Sequence, residues 1–224
     1  MNKPILYGSE LSPAVRGVLL TAKAMDLELE LRPINILAGE HLTPEYLEMN
    51  PQHTIPTLDD NGDIFWDSQA ICMYLIDKYA PNDDLYSRDL YTRARINQRL
   101  YFVSSVLSPK MSMINGSILF RQSAEIPQAG IDGINKGYEF MEKFLKNDSY
   151  LVGDSVTVAD FCCVATVSTI QYAAPIDPDT YPKVAEWFEN MKSIPFYEEI
   201  NGKNVEILEQ VVLGELEKNR AAAE

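Results

Sequence analysis

The sequence predicts an α/β domain followed by an all-α domain. Strand and helix signals alternate over the first 80 residues, whereas strand signals stop at about residue 88 and long helical periodicities follow. A polar, proline-containing stretch from Ala80 to Asp84 lies between the two patterns and is typical of a linker. We therefore expect domains at residues 1–80 and 88–224, joined by a linker at 81–87.

The first elements follow from local chemistry. Ile5 to Tyr7 predicts a short buried strand, and Ser12-Pro13 predicts a helix start, because serine is a favoured N-cap and proline suits the first helical position. The alternation of leucine with charged residues from Leu27 to Leu31 predicts a half-exposed strand. Thr43-Pro44 then predicts the start of a short helix.

The most informative segment lies between residues 50 and 71. It predicts a loop ending at Ile55-Pro56, a strand, a tight turn at Asn61-Gly62, a second strand, and a helix that opens at Ser68. An Ile-Pro bond adopts the cis form at modest cost, and a cis proline here would leave the Ile55 backbone free to pair with a peptide-like ligand. Together with the first strand and helix, this pattern predicts a thioredoxin-like N-terminal domain.

The same segment resembles a known family. Asn-Pro-Gln-His-x-Ile-Pro-x-Leu at residues 50–58, followed by Trp-Asp-Ser-x-Ala-Ile at 66–71, resembles the glutathione-binding segment of cytosolic glutathione transferases of the insect delta/epsilon type, and the epsilon type in particular. The resemblance covers essentially the whole chain. It implies the glutathione transferase fold, an α/β thioredoxin-like N-terminal domain plus an all-α C-terminal domain, with glutathione as co-substrate and no metal.

Ser12 is the candidate catalytic residue. Thioredoxins carry Cys-x-x-Cys at this turn, but residues 12–15 are Ser-Pro-Ala-Val, so dithiol exchange is excluded. The resemblance implies that glutathione supplies the sulfur and that Ser12 donates a hydrogen bond to it. Tyr7 is the alternative, because other classes of the family use a tyrosine near this point. The Ser12-Pro13-x-Val15-Arg16 pattern favours serine, with Tyr7 in the core and Arg16 in packing or a domain contact.

The resemblance also assigns the glutathione-binding residues. His41 and His53 lie in the two loops that bind the glycyl carboxylate, while Ser68 and Asp67 suit the glutamyl carboxylate and ammonium. Helix capping explains Asp67 and Ser68 equally well. Many family members have Arg or His at the position of Gln69, so its role stays open. The predicted glutathione-binding residues are His41, His53, Thr54, Ile55, Asp67, Ser68 and Gln69.

Two features mark the helical half. Pro109 interrupts a helical pattern that runs from about Thr92 to Leu119, and it either kinks one helix or separates two. Thr157 and Asp160 form a capping-box-like helix start, to which we assign a structural role. The resemblance implies an electrophile pocket beside the second half of the interrupted helix. Its predicted residues are Leu11, Ser108, Met111, Ser112, Asn115 and Leu119.

Composition excludes several partners and sites. The net charge of −14 argues against nucleic acid and anionic membranes as partners. The three cysteines lie in apolar helical patterns far from either histidine, which predicts buried, reduced thiols and no zinc site. No signal peptide or membrane span is evident from Met1 onward, so we expect a cytoplasmic protein.

The predicted function is glutathione conjugation. A glutathione thiolate would attack a hydrophobic electrophile in detoxification, with peroxidase or dehydrochlorinase side activity, and the family's architecture implies a homodimer. The main alternative is a non-catalytic protein of the same fold that binds glutathione or hydrophobic ligands. A thiol oxidoreductase is disfavoured because no cysteine lies at the site.

Overall fold

The computed structural model describes residues 3–223; Met1, Asn2 and Glu224, which the predicted domain ranges include, lie outside the described residues. The first part of the described chain is an α/β unit. Its strands and helices are β1 (Ile5–Gly8), α1 (Pro13–Ala24), β2 (Glu30–Pro33), a 3-10 turn (Glu40–Leu42), α2 (Pro44–Met49), β3 (Thr57–Asp60), β4 (Asp63–Trp66) and α3 (Ser68–Tyr79).

The four strands form one mixed sheet in the order β2-β1-β3-β4. β1 is parallel to β2 and antiparallel to β3, and Leu6 lies opposite both Leu31 and Leu58. Asn61 and Gly62 connect β3 to β4 with φ angles of 59° and 98°, as a tight hairpin turn requires, so the predicted turn is confirmed. The predicted second strand began too early, because Leu27 and Leu29 precede β2.

The second part of the described chain is helical. Its elements are α4 (Leu90–Phe102), a π-helical turn (Val103–Leu107), α5 (Ser108–Arg121), α6 (Gln128–Phe144), α7 (Val158–Thr169), α8 (Pro182–Lys192), a second π-helical turn (Glu198–Gly202) and α9 (Lys203–Ala223).

Pro109 follows a π-helical turn rather than a break between two helices. It lies in the first turn of α5, and the chain stays helical from α4 through residues 103–107 into α5. Pro109 has no N–H to donate to the carbonyl of Ser105, and the wider π turn takes up this irregularity. Of the two interpretations that the sequence left open, a break between two helices does not occur at residues 102–109, and the irregularity near residues 105–109 is a change of helix type.

One apolar core joins the two parts. It runs from Leu6 and Leu58 in the sheet, through Val18 in α1, to Phe161 in α7 and Trp187 in α8. α1 packs against both α3 and α7. The first turn of α1, where Ser12 lies, is therefore held in place by both halves of the protein.

The start of α7 is the predicted capping box. Asp160 is fully buried, and its Oδ2 accepts hydrogen bonds of 2.9 Å from the N–H and the hydroxyl of Thr157. Its Oδ1 accepts bonds of 2.9 Å from the Leu151 N–H and from Trp187 Nε1. Burial raises the pKa of Asp160, and these four donors oppose that shift. Asp160 therefore ties the start of α7 to the preceding loop and to α8.

A second buried carboxylate ties β3 to α3. Asp60 Oδ2 accepts hydrogen bonds from Lys78 Nζ at 2.6 Å, from the Tyr74 hydroxyl at 2.7 Å and from the Tyr79 hydroxyl at 2.8 Å. Burial alone would raise the pKa of Asp60, but these donors outweigh it and lower the pKa from 3.8 to about 2. The network therefore stabilises the folded protein only while Asp60 is ionised.

We expect Asp60 to make stability dependent on pH. Because its folded pKa lies below its unfolded pKa, the stabilisation of about 2 kcal/mol is complete above about pH 5 and disappears as the pH falls towards 2. Asp60→Asn should therefore lower the free energy of unfolding at neutral pH but by progressively less in acid, as followed by urea denaturation. Asp63→Asn, an exposed change in the same hairpin, is the control. A loss for Asp60→Asn that is independent of pH would contradict this account.

The cysteine side chains have the buried, unpaired state predicted from the sequence. Cys72, Cys162 and Cys163 are buried free thiols. The hydrogen bond with Cys72 and burial raise the pKa of Cys162, and burial raises the pKa of Cys163, so both thiols stay protonated at neutral pH. Within residues 3–223, no helix is both long enough and apolar enough to cross a membrane.

Candidate functional site

Ser12 lies where β1 leads into α1. Its N–H donates to the Ser9 carbonyl at 2.8 Å, and with φ of −74° and ψ of 124° it occupies the N-cap position predicted from the sequence. Its side chain makes no capping hydrogen bond, so only the position of the predicted cap is right. Pro13 has no N–H, and the N–H groups of Ala14 and Val15 are the first free donors of the helix. The Ser12 hydroxyl therefore belongs to the residue at the N-terminus of α1, next to the free N–H groups of the first helical turn.

Tyr7 is placed differently from the sequence expectation. It is half-buried rather than part of the core, because it lies on β1 next to the edge strand β2. Its hydroxyl accepts a hydrogen bond of 2.9 Å from Arg32 Nη1, and its ring packs edge-on against Tyr46. The Tyr7 hydroxyl is thus already engaged by an arginine of the neighbouring strand, whereas the Ser12 hydroxyl is bonded to none of residues 3–223.

The loop before β3 has the predicted cis Ile55-Pro56 bond. Asn50 is fully buried beneath this loop, and its Nδ2 donates to the Thr54 carbonyl at 3.0 Å and to Thr57 Oγ1 at 2.9 Å. The Tyr46 hydroxyl donates to the same Thr54 carbonyl at 2.7 Å. Asn50 and Tyr46 thus determine the shape of the loop. Sequence reasoning did not select either as a site residue, although Asn50 begins the motif that identified the segment.

The two histidines lie near each other, in the two loops to which the resemblance assigns the glycyl carboxylate. The ring centroids of His41, in the 3-10 turn, and His53, in the loop, are 6.1 Å apart. His41 Nδ1 is buried and has no hydrogen-bond partner among residues 3–223. Buried polar atoms are normally paired, so this nitrogen is available to contact a ligand oxygen. The pair is suited to an anionic group that approaches the loop.

Asp67, Ser68 and Gln69 surround the start of α3. Asp67 is the N-cap, and its Oδ1 accepts from the N–H groups of Gln69 and Ala70 at 3.0 and 3.1 Å. Its φ of 71° and ψ of 113° lie in a sparsely populated region of the backbone map, which is a common feature of binding sites. Ser68 begins the helix as predicted, and Gln69 is only 8 % exposed. Asp67 therefore caps α3 and is also exposed to solvent.

The residues predicted for the electrophile pocket share one face of α5. Ser108, Met111, Ser112, Asn115 and Leu119 follow one another at intervals that match the helix period, and Leu11 lies beside Ser12 in the loop before α1.

Side chains outside α5 support this face, and sequence reasoning missed them. Asn115 Oδ1 accepts a hydrogen bond of 2.6 Å from the Tyr172 hydroxyl, which lies just beyond α7. Leu119 packs in a small cluster with Leu208 and Val212 of α9. Burial and the nearby Glu209 raise the pKa of Tyr172, so it remains a hydroxyl donor at neutral pH. Residues of α9 and of the segment after α7 therefore contact Asn115 and Leu119 of α5.

These features define a class of protein, a thioredoxin-like domain with a cis-proline loop joined to a helical domain. Residues 6–83 match the family model described as the glutathione S-transferase N-terminal domain, and residues 131–199 match that of the glutathione S-transferase C-terminal domain. The chain belongs to the glutathione S-transferase family.

The relatives include several insect proteins. An epsilon-class glutathione S-transferase from the housefly, Musca domestica, is 44 % identical, with a TM-score of 0.92 over 95 % of this chain and 98 % of that one. A glutathione transferase homologue from Drosophila mojavensis, solved with bound glutathione, is 38 % identical, with a TM-score of 0.92 over 96 % and 98 % of the two chains. Glutathione S-transferase 1 of Manduca sexta is 37 % identical over 94 % of this chain and 98 % of its own length.

The comparisons confirm the predicted family, the glutathione transferase fold, the enzyme class and glutathione as co-substrate. Among residues 3–223, no group of three or more histidine, cysteine or acidic side chains is arranged to hold a metal ion.

Proposed function

We propose that the protein joins the thiolate of glutathione to hydrophobic electrophiles, with Ser12 as the residue that stabilises the thiolate. One observation carries this proposal: the Ser12 hydroxyl lies at the N-terminus of α1 and makes no capping bond. A free thiol has a pKa near 8.5, whereas a helix N-terminus and nearby donors lower thiol pKa values to about 3.5–7.5. A glutathione sulfur at this point would therefore be largely ionised at neutral pH.

The surrounding residues suit the rest of glutathione. His41 and His53 would bind the glycyl carboxylate, and the unpaired His41 Nδ1 supports that role. The Ile55 backbone, next to the cis bond before Pro56, would pair with the cysteinyl unit, with Thr54 beside it. These contacts offer local positive or polar groups in a chain whose net charge is −14.

The other end of glutathione would lie at the start of α3. Ser68 would bind the glutamyl carboxylate, while the second oxygen of Asp67, whose first oxygen caps the helix, would pair with the ammonium. Gln69 would support this end mainly through its backbone, because its side chain is almost fully buried.

The electrophile would bind against the face of α5 that carries Met111, Asn115 and Leu119, near Leu11. The thiolate would attack an electrophilic carbon, the carbon–sulfur bond would form as the leaving group departs with its electron pair, and the product would be a thioether. This chemistry suits detoxification. Hydroperoxide reduction and dehydrochlorination are proposed side activities.

A panel of assays tests the proposal. Purified protein should conjugate glutathione to an aryl halide, and parallel assays should measure hydroperoxide reduction and dehydrochlorination. Retention on immobilised glutathione without turnover of any electrophile would instead support the alternative, a binding protein that has kept the fold and lost catalysis.

His53→Ala should weaken glutathione binding more than it slows the chemical step. The imidazole would contact the glycyl carboxylate, which takes no part in the reaction at sulfur, and that contact is equal in the ground and transition states. We expect KM for glutathione to rise about tenfold, which is about 1.4 kcal/mol, with kcat nearly unchanged. Steady-state kinetics at saturating electrophile measure both constants. A collapse of kcat at unchanged KM would place His53 near the sulfur instead.

We also propose a cytoplasmic homodimer. Leu90 and Tyr101 are 83 % and 65 % exposed on α4, and eleven residues of helix place them on the same face, where a second copy would cover them. Three buried, reduced cysteines suit a reducing compartment. Sedimentation at micromolar concentration should show a dimer, and Tyr101→Arg should weaken it. A monomeric parent protein would contradict the proposal.

A further inference from the structure

Arg16 is a fully buried arginine one helical turn after Ser12, and all of its N–H groups are used. Nη1 donates to the Leu11 carbonyl at 2.9 Å and to the Glu10 carbonyl at 3.5 Å. Nε donates to Asn201 Oδ1 at 2.8 Å, while Nη2 donates to the Ala165 carbonyl at 3.2 Å and to the Thr169 hydroxyl. One guanidinium thus joins the Ser12 loop to α7 and to the second π-helical turn.

The acceptors around Arg16 are all neutral. They are three backbone carbonyls, one amide and one hydroxyl, and no ion pair of Arg16 with a carboxylate occurs within residues 3–223. Burial lowers the pKa of Arg16 to about 10, so it remains a cation at neutral pH. A buried cation without an acidic partner is costly, and for stability alone an apolar side chain would serve as well. This cost suggests that the N–H donors of the Arg16 guanidinium have a role other than stabilising the fold.

We propose that Arg16 is a positioning residue for the thiolate site, acting through Ser12. The two carbonyls that Nη1 binds belong to the residues immediately before Ser12, and the Ser12 carbonyl in turn accepts the Arg16 N–H at 3.0 Å. Arg16 therefore holds both the loop immediately before Ser12 and the Ser12 carbonyl itself. The inference rests on the proposed role of Ser12 and goes beyond it by naming what holds the hydroxyl in place.

The far end of this link is Asn201 in the turn Glu198–Gly202. Asn201 is fully buried, accepts from Arg16 Nε, and donates through Nδ2 to the Ser168 hydroxyl at 2.9 Å. The wider backbone of a π turn allows an inward side chain at a position that a regular helix would place elsewhere. The helical domain thus sets the orientation of Arg16, and through it the loop of the α/β domain that carries Ser12.

Arg16→Lys tests this inference because lysine keeps the charge but cannot form the fork. We expect the pKa of enzyme-bound glutathione, read from the ultraviolet absorbance of its thiolate, to rise by about one pH unit, about a tenfold loss of thiolate near neutral pH. KM for glutathione should change less than about threefold. Asn201→Ala should shift the same pKa in the same direction by a smaller amount, which provides a second variant if Arg16→Lys fails to fold.

Arg99→Lys is the matched control. Arg99 is also a buried arginine, but it donates to the Leu151 carbonyl and stacks on Phe144, away from Ser12. It should lose comparable stability and leave the titration of bound glutathione unchanged.

A double variant tests whether Arg16 acts through Ser12. If it does, adding Arg16→Lys to Ser12→Ala should shift the thiol pKa no further than Ser12→Ala alone. Additive shifts, or parent-like titrations in folded Arg16→Lys and Asn201→Ala, would overturn the inference. If the parent protein itself did not lower the pKa of bound glutathione, the proposed function would fail instead, and the two failures are therefore distinguishable.

Discussion

Replacing Ser12 by alanine should raise the pKa of enzyme-bound glutathione by about one to two pH units, because the thiolate loses its hydroxyl donor. The rise of the pH–rate profile for conjugation should move to higher pH by the same amount. At neutral pH, kcat should fall by about 10- to 100-fold, while glutathione binding is largely kept. The cost in stability should be small, since the Ser12 side chain makes no capping hydrogen bond.

Tyr7→Phe is the control for this prediction. The Tyr7 hydroxyl lies beside Arg32 of the edge strand β2, so we expect that removing this hydroxyl leaves the thiol titration in place. Both variants are compared as folded protein, verified by circular dichroism. A shift in the pKa of bound glutathione that is caused by Tyr7→Phe and not by Ser12→Ala would show that Tyr7 stabilises the thiolate.

Replacing Asp160 by alanine should have the largest effect on stability, a loss of about 3–5 kcal/mol in the free energy of unfolding. The change leaves buried N–H groups of Leu151, Thr157 and Trp187 without an acceptor, and each unpaired buried donor costs about 1–3 kcal/mol. Asp160→Asn should be nearly as harmful, because both carboxylate oxygens accept hydrogen bonds and an amide offers only one oxygen. Urea denaturation measures the loss.

The control is Asp89→Ala, which removes an exposed N-cap of α4 and should cost only about 1 kcal/mol. Glutathione affinity in folded Asp160→Ala protein should match the parent, since the residue lies in the helical half and touches no predicted site residue. A large loss of affinity at normal stability would show that the structural role assigned to Asp160 is wrong.

Short-range chemistry accounts for what the sequence predicted correctly. The helix starts at Pro13 and Pro44, the Asn61-Gly62 turn and the capping box at Thr157 each depend on a few adjacent residues. The cis bond at Ile55-Pro56 is likewise a local property of a proline. These elements placed Ser12, His41 and His53 in the expected loops, and the structure brings the two histidines together.

Long-range contacts account for what the sequence did not predict. The acceptors of Arg16 come from residues 10 and 11 and from residues as far away as 201, and no local pattern connects them. The local sequence around Asp60 did not predict its three hydrogen-bond donors in α3, because these side chains contact Asp60 only in the folded protein. The π-helical turn before Pro109 depends on how α4 and α5 pack, so proline chemistry indicated an irregularity but not its form.

The central claim is that the glutathione sulfur lies against Ser12 at the N-terminus of α1. A crystal structure of the protein with glutathione tests it most directly. The account predicts a sulfur within about 3.5 Å of Ser12 Oγ, with the glycyl carboxylate beside His41 and His53. A sulfur bonded to the Tyr7 hydroxyl, with Ser12 making no contact to the ligand, would contradict it.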